Sequence, residues 1–205
     1  MGTDIVAEEL VWAAVAAERA SLAEMLEGLT EQQWDEQSWC AGWRIRDVVG
    51  HILLTSRAKL GQVLWELLRA RGNLDRMSFA TAVRYADRAT SATLLAELRA
   101  IVDLRHAPVG TTALDRLMDL LVHGQDIAVP LGLRREMPVA AARWSVERVW
   151  RMGAPFHAQR ALTGHRLVAT DTEWSAGSGA PVAAPIAELL LMVTGRVPVE
   201  AARRT

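Results

Sequence analysis

Apolar residues return every three or four positions through most of this chain, and that period admits helices and little else. From Asp4 to about Glu27 the repeat runs through Val11, Val15, Leu22 and Met25/Leu26, and Gly28 closes it. Thr30-Glu31-Gln32-Gln33 has the form of a capping box, opening a short turn that includes Trp34. A second long helix is expected from Arg44 to Arg71, with Asp47 at the positive end of its dipole and Gly72-Asn73 as its stop. Shorter helices fit Phe79–Ala86 and Ala92–Asp103, and His106–Gly110 reads as a loop around Pro108. Thr112-x-x-Asp115 then caps a helix reaching Val129, which Pro130 and Gly132 end. Pro138 introduces one more, over Val139–Met152.

The texture changes after Pro155. Arg166-Leu-Val-Ala-Thr170 reads as a strand, Ser175–Gly179 as a turn-rich loop, and Pro185–Thr194 as a last amphipathic helix. The expected fold is mainly α, with a helical bundle over 1–153. A small α/β region over 154–205, too short to hold a core of its own, is expected to pack on that bundle. No internal repeat or low-complexity linker interrupts it.

Composition narrows the setting. No stretch of the 205 residues approaches the roughly 18–20 uninterrupted apolar residues of a membrane span. The opening MGTDIVAEEL places acids where a signal peptide would carry a basic and then an apolar region, so a cytoplasmic location is expected. The single cysteine, Cys40, excludes an internal disulfide framework. A net charge of −1 with acids and bases interspersed argues against a nucleic-acid partner, which calls for a concentrated basic stripe. Nearly every base is arginine, Lys59 being the sole lysine, as in proteins from GC-rich genomes.

The chemistry-bearing side chains are few. Asp119 and His123 stand four apart on one helix and therefore share nearly one azimuth, a spacing at which two side chains can grip one cation. Leu117, Leu120, Leu121 and Val122 put the pair beside an apolar stripe, where an ionised aspartate needs a partner or a metal. A helix-surface ion pair is the competing reading from spacing alone. His51, among Val48, Val49, Ile52 and Leu53, reads by itself as a core histidine. Joined with Asp119 and His123 it would complete three N/O ligands with a vacant fourth position, the pattern of a catalytic zinc site. Asp126, three beyond His123, could hold the far imidazole nitrogen or merely face solvent. Cys40 reads as a small residue between Trp39 and Trp43, and His106, His157 and His165 have no partner at ligand spacing.

Three segments together carry a resemblance. Leu29-Thr-x-x-x-Trp34 followed by Ser38-x-Cys40-x-Gly42-Trp43 and Arg46-Asp-Val-Val-x-His51 resembles the opening of the mycothiol-dependent maleylpyruvate isomerase-like family, within the wider DinB/YfiT-like superfamily. Asp119-Leu-Leu-Val-His123-Gly-Gln-Asp126-Ile, with Leu131-Gly after it, is similar to the family's second metal-binding motif. Leu167-Val-Ala-Thr-Asp171-x-x-Trp174-x-x-Gly177-x-Gly179 and the leucine-rich helix closing on Gly195-Arg196 resemble its C-terminal segment. The resemblance implies a DinB-like four-helix bundle with a small C-terminal α/β appendage. It further implies a divalent metal, zinc by expectation, on His51, Asp119 and His123, with mycothiol as cosubstrate. Where the isomerases proper carry glutamate four residues before the second histidine this chain has Asp119, and Arg44 stands at the usual threonine helix cap.

The function implied is metal- and thiol-dependent isomerisation, or S-transfer to an electrophilic small molecule. A thiol meeting the open metal position would lose its proton and become the nucleophile. An arginine is expected to hold the anionic substrate or the sugar thiol: Arg196, at the end of the last helix, is the candidate for this catalytic role by resemblance, and Arg84 is a second choice. A metal-dependent hydrolase on the same scaffold and a non-catalytic, stress-associated metal-binding protein are the alternatives. Small-molecule substrate and thiol are the expected partners, with neither nucleic acid nor membrane, and a homodimer is left open.

Overall fold

The computed structural model describes residues 2–200, which divide into two compact units, the second beginning at Glu136. The architecture is mainly α with a small C-terminal sheet, as the helical period requires.

In the first unit, α1 (Gly2–Glu27), α3 (Ile45–Arg57), α6 (Ser91–Ala100) and α7 (Ala113–Ala128) close a ring. α1 packs on α6 and α7, and α3 packs on the same two. This is the four-helix bundle. Its core is filled by Val15, Leu22 and Leu26 of α1, Val48, Val49, Ile52 and Leu53 of α3, Leu94 and Leu98 of α6, and Leu117, Leu120 and Leu121 of α7. α7 is buried on almost every side, so the polar residues it carries are inside the protein and must be paired there. Thr112 caps it, accepting from Asp115 N while Asp115 accepts from Thr112 N at 2.7 Å. Gly124, just after His123, leaves room for Arg135, since a Cβ there would lie 2.6 Å from the Arg135 Nε. Arg135 in turn pairs with the buried Glu18 of α1 at 2.7 Å and so ties the end of α7 to α1.

The single helix expected over Arg44–Arg71 is two. α3 stops at Arg57, Ala58 and Lys59 are extended, and α4 (Leu60–Arg69) begins anew. No proline marks this break, and the nearest glycine, Gly61, falls inside the first turn of α4. His106, from the loop before α7, meets the freed Ala58 carbonyl through Nε2 at 3.1 Å. α5 (Leu74–Ala86) starts five residues earlier than its apolar pattern suggests, because Asn73 is also a helix cap, accepting from Arg76 N at 2.8 Å. α5 lies on α3, and α4 on α5, with the α4 residues Leu60, Leu64, Trp65 and Leu68 exposed. Arg44, where a threonine cap was to be expected, is served instead by Asp47, whose carboxylate accepts from the Arg44 backbone N at 2.8 Å and from its guanidinium at 2.8 and 3.0 Å.

The second unit holds α8 (Val139–Arg151), the short α9 (Ala158–Ala161), three strands and α10 (Ile186–Val193). β1 (His165–Ala169) is central, antiparallel to β2 (Ser175–Gly177) and parallel to β3 (Ala180–Ala184). Two of these strands occupy sequence expected to be loop or left unassigned. Three-residue β2 is too short to show a period, and alanine-rich β3 has little strand propensity. Leu167 and Val182 are register partners buried on the same face, and α8 packs on α10. The residues of the C-terminal motif do structural work: Asp171 accepts from Ile186 N at 2.9 Å and so caps α10, and Trp174 donates to Glu147 at 2.6 Å. Gly179 has φ +117°, and a Cβ there would run into the Gly164 carbonyl. Gly179→Ala is therefore expected to destabilise this unit by about 2 kcal/mol or more, read as a lower denaturant midpoint for the near-ultraviolet signal of its tryptophans.

Candidate metal centre

Three helix positions converge. His51 comes from α3, Asp119 and His123 from α7, and their ligand atoms all lie within 4.8 Å of one another. Asp119 Oδ1 is 3.6 Å from His51 Nε2 and 3.5 Å from His123 Nε2. Those separations are too long for hydrogen bonds. Donor atoms about 2.0–2.2 Å from one tetrahedral cation lie about 3.3–3.6 Å from each other, so the spacing fits a shared metal ion. The donor set, two imidazoles and a carboxylate, suits a borderline divalent cation.

Each imidazole is oriented through its other nitrogen. His123 Nδ1 is 2.8 Å from Asp126 Oδ2, a carboxylate with no exposed surface. His51 Nδ1 is 3.1 Å from the Ser78 hydroxyl of α5. These contacts at Nδ1 leave both Nε2 atoms facing Asp119, the arrangement metal-binding histidines usually show. The indole of Trp43 packs on both rings, with centroids 5.1 Å from His51 and 6.1 Å from His123, which restricts their rotation.

Cys40 is placed differently from its sequence reading. Its thiol donates to Asp126 Oδ2 at 3.0 Å and lies 3.9 Å from His123 Nδ1. Cys40, His123 and Asp126 thus form a second cluster of potential ligand atoms. Its two short contacts are ordinary hydrogen-bond lengths, which marks it as the hydrogen-bonded support of His123. Nothing at sequence spacing signals this contact, because Cys40 and Asp126 are 86 residues apart. Ser78 and Thr55 belong to none of the motifs, and Trp43, although part of the opening motif, carries no sign in sequence of its contact with the histidines. Only the fold brings them to the histidines.

Electrostatics separate the two histidines. Burial pushes His51 below the ordinary imidazole value, and its contact with Asp119 does not offset this. Burial also works against charge on His123, but hydrogen bonds to Asp126 and Cys40 and the nearby carboxylates overcome it, raising its pKa to about 10. Burial likewise opposes the Asp119 charge, yet Arg116 and the two histidines hold its carboxyl well below the usual carboxylate range. At neutral pH the metal-free site therefore holds a neutral His51, an imidazolium His123 and an ionised Asp119.

His51 opens onto a cavity of about 500 Å³ in the first unit, walled by α3, α4 and α5. Leu54, Val63, Trp65 and Met77 supply apolar wall, and Ser78, Tyr85, Arg84 and Arg88 supply polar groups. Arg84 pairs with Glu66 of α4 at 2.8 Å. Arg196 lies in the second unit just past α10, where its guanidinium donates to the Thr194 carbonyl at 3.0 Å. His106 serves Ala58, and His157 and His165 enter no potential metal cluster among the described residues.

A mainly helical unit whose buried polar residues gather two histidines and a carboxylate at metal-ligand spacing defines a class of helical proteins with a candidate metal centre. Residues 15–110 match the family model of the mycothiol maleylpyruvate isomerase N-terminal domain, just under half of the chain. That segment contains His51 and ends before Asp119. Over 93% of this chain and 90% of the other, the fold is similar to the crystal structure of the mycothiol-dependent maleylpyruvate isomerase, with a TM-score of 0.67 at 14% identity. A mutant of that enzyme with a histidine replaced by alanine matches over the same shares, at 0.66 and 12%. No curated protein matches the chain. The chain thus resembles the mycothiol-dependent maleylpyruvate isomerase-like family in sequence through its first half and in fold almost throughout.

A cation taking His123 Nε2 must displace the proton that the imidazolium holds there. Zinc binding near pH 7 is expected to release about one proton from this site, measurable by calorimetry in buffers of different ionisation enthalpy. That release should fall towards zero above about pH 10, where His123 has already lost the proton.

Proposed function

We propose that this protein is a divalent-metal-dependent enzyme that uses a low-molecular-weight thiol, mycothiol, to isomerise an electrophilic small molecule or transfer sulfur to it. The observation that carries the reading is the convergence of His51, Asp119 and His123, the first of which lines a cavity large enough for a small organic substrate. Zinc is the cation we assign, with His51, Asp119 and His123 holding it. Bound there, it would act as a Lewis acid that lowers the pKa of a thiol at its open position.

The chain's own residues supply the rest. Asp126 and Ser78 hold the two imidazoles with their Nε2 atoms inward. Leu54, Val63, Trp65 and Met77 give the cavity an apolar wall against which the carbon skeleton of the substrate would lie. Arg84, whose partner Glu66 an incoming carboxylate could displace, is proposed to hold an anionic substrate. Arg196 is proposed as the catalytic arginine, on the strength of the family resemblance. Maleylpyruvate and its relatives, unsaturated and anionic, are the substrates this arrangement suits: addition of the thiolate to one alkene carbon would turn the double bond into a single bond free to rotate, and departure of the thiolate would restore the double bond.

Zinc-loaded protein is expected to isomerise maleylpyruvate only when mycothiol is added, followed by loss of the substrate's ultraviolet band. Turnover without any thiol would overturn this reading in favour of a metallohydrolase. Protein that binds no stoichiometric metal, and whose activity survives His51→Ala, would place it among non-catalytic relatives. In the active enzyme Arg84→Ala should raise KM about tenfold, whereas Arg196→Ala should lower kcat about a hundredfold with metal content unchanged.

A further inference from the structure

Arg116 stands beside the triad without belonging to it. It precedes Asp119 by one turn of α7, is 9% exposed, and has Nη1 3.6 Å from Asp119 Oδ2. Thr55 donates to that same oxygen at 3.4 Å, so the carboxylate is divided: Oδ1 faces the two histidines and Oδ2 faces Arg116 and Thr55. The Arg116 atoms Nε and Nη1 are buried without a hydrogen-bond partner among the described residues. A buried guanidinium with idle donors costs stability, and a well-packed apolar side chain of similar volume would not. Packing therefore does not account for it. A second buried arginine, Arg19 of α1, feels its charge: burial first, and then repulsion from Arg116, draw the Arg19 guanidinium down to about 10.

We propose that Arg116 is a fixed counter-charge that weakens cation binding to His51, Asp119 and His123 and makes the loaded site select anionic over neutral ligands. The inference rests on the metal reading above and adds ligand selection to it. Two neutral imidazoles and one carboxylate leave a divalent cation with one uncompensated positive charge. Arg116 adds another, at a distance where water screens little. It also competes with the cation for the negative charge of Asp119. The ligand class favoured is a thiolate or carboxylate over water, an alcohol or an amide. Arg116 is thus a positioning and charge-setting residue, acting through Asp119 and through its field.

The test compares wild type, Arg116→Gln and Arg116→Lys. Zinc affinity is measured by competition with a chromophoric chelator, and anion affinity by titrating the cobalt-loaded proteins with thiocyanate and following the visible spectrum. Arg116→Gln is expected to bind zinc about tenfold tighter and thiocyanate about tenfold weaker, while Arg116→Lys stays near wild type on both. A merely structural role would loosen both, so opposite movement distinguishes the two. Zinc affinity unchanged or weaker in Arg116→Gln, with helical circular dichroism intact, would overturn the proposal. Should the amide variant not fold, Arg116→Met removes the charge at similar volume and is read the same way. Wild type that binds no zinc would instead sink the metal reading, a failure visible before any variant is made.

Discussion

The Asp119 carboxylate is the charge around which the first unit is organised. It is ionised inside a helical bundle, where an unpaired carboxylate would be strongly disfavoured. What keeps it there is a shell drawn from two helices: His51 and Thr55 of α3, and Arg116 and His123 of α7. None of these contacts is a short hydrogen bond, so the shell stabilises the charge without closing on it. A group held by several long contacts can exchange them for one short bond to a cation at little cost in rearrangement. A carboxylate locked at hydrogen-bond distance, as Asp126 is by His123 and Cys40, would have to give up those bonds first.

That difference divides the polar interior of α7 into a working layer and a supporting one. Asp119 and His123 share one face of the helix, while Asp126, a turn further on, turns to the other nitrogen of His123 and to the loop carrying Cys40. The loop is itself fastened to α7, since Trp39 N donates to the Asp126 carbonyl at 2.8 Å. Trp43, from the same loop, then covers both imidazoles. One short segment between α2 (Glu31–Trp34) and α3 thereby supports histidines on two different helices.

Much of this was legible beforehand, and what was not has a physical reason. Helix period and caps place α1, α7, α8 and α10 to within a few residues, because each has an apolar face and a clear cap or stop. The break at Ala58 left no trace, since it is held by His106, a contact 48 residues distant. Of the strands, β1 was legible as an apolar run, whereas β2 is too short and β3 too alanine-rich to show a period. At the site, i,i+4 spacing brought Asp119 and His123 together. His51, however, was indistinguishable from a core histidine until the order of motifs was considered. Cys40, Ser78, Thr55 and the charge of Arg116 lie beyond spacing arguments, because each meets the site only through packing of separate helices.

The two histidines, alike in sequence, end in unlike roles. His123 is backed by a fully buried carboxylate, whose pull on Nδ1–H makes the ring a stronger electron donor towards Nε2. His51 is backed only by the neutral hydroxyl of Ser78, and that hydroxyl also lines the cavity. Any ligand entering the cavity can reach the Ser78 hydroxyl and through it alter His51, whereas the support of His123 lies on the far side of its ring. The two histidines thus differ in what backs them, His51 by a hydroxyl that lines the cavity and His123 by a fully buried carboxylate.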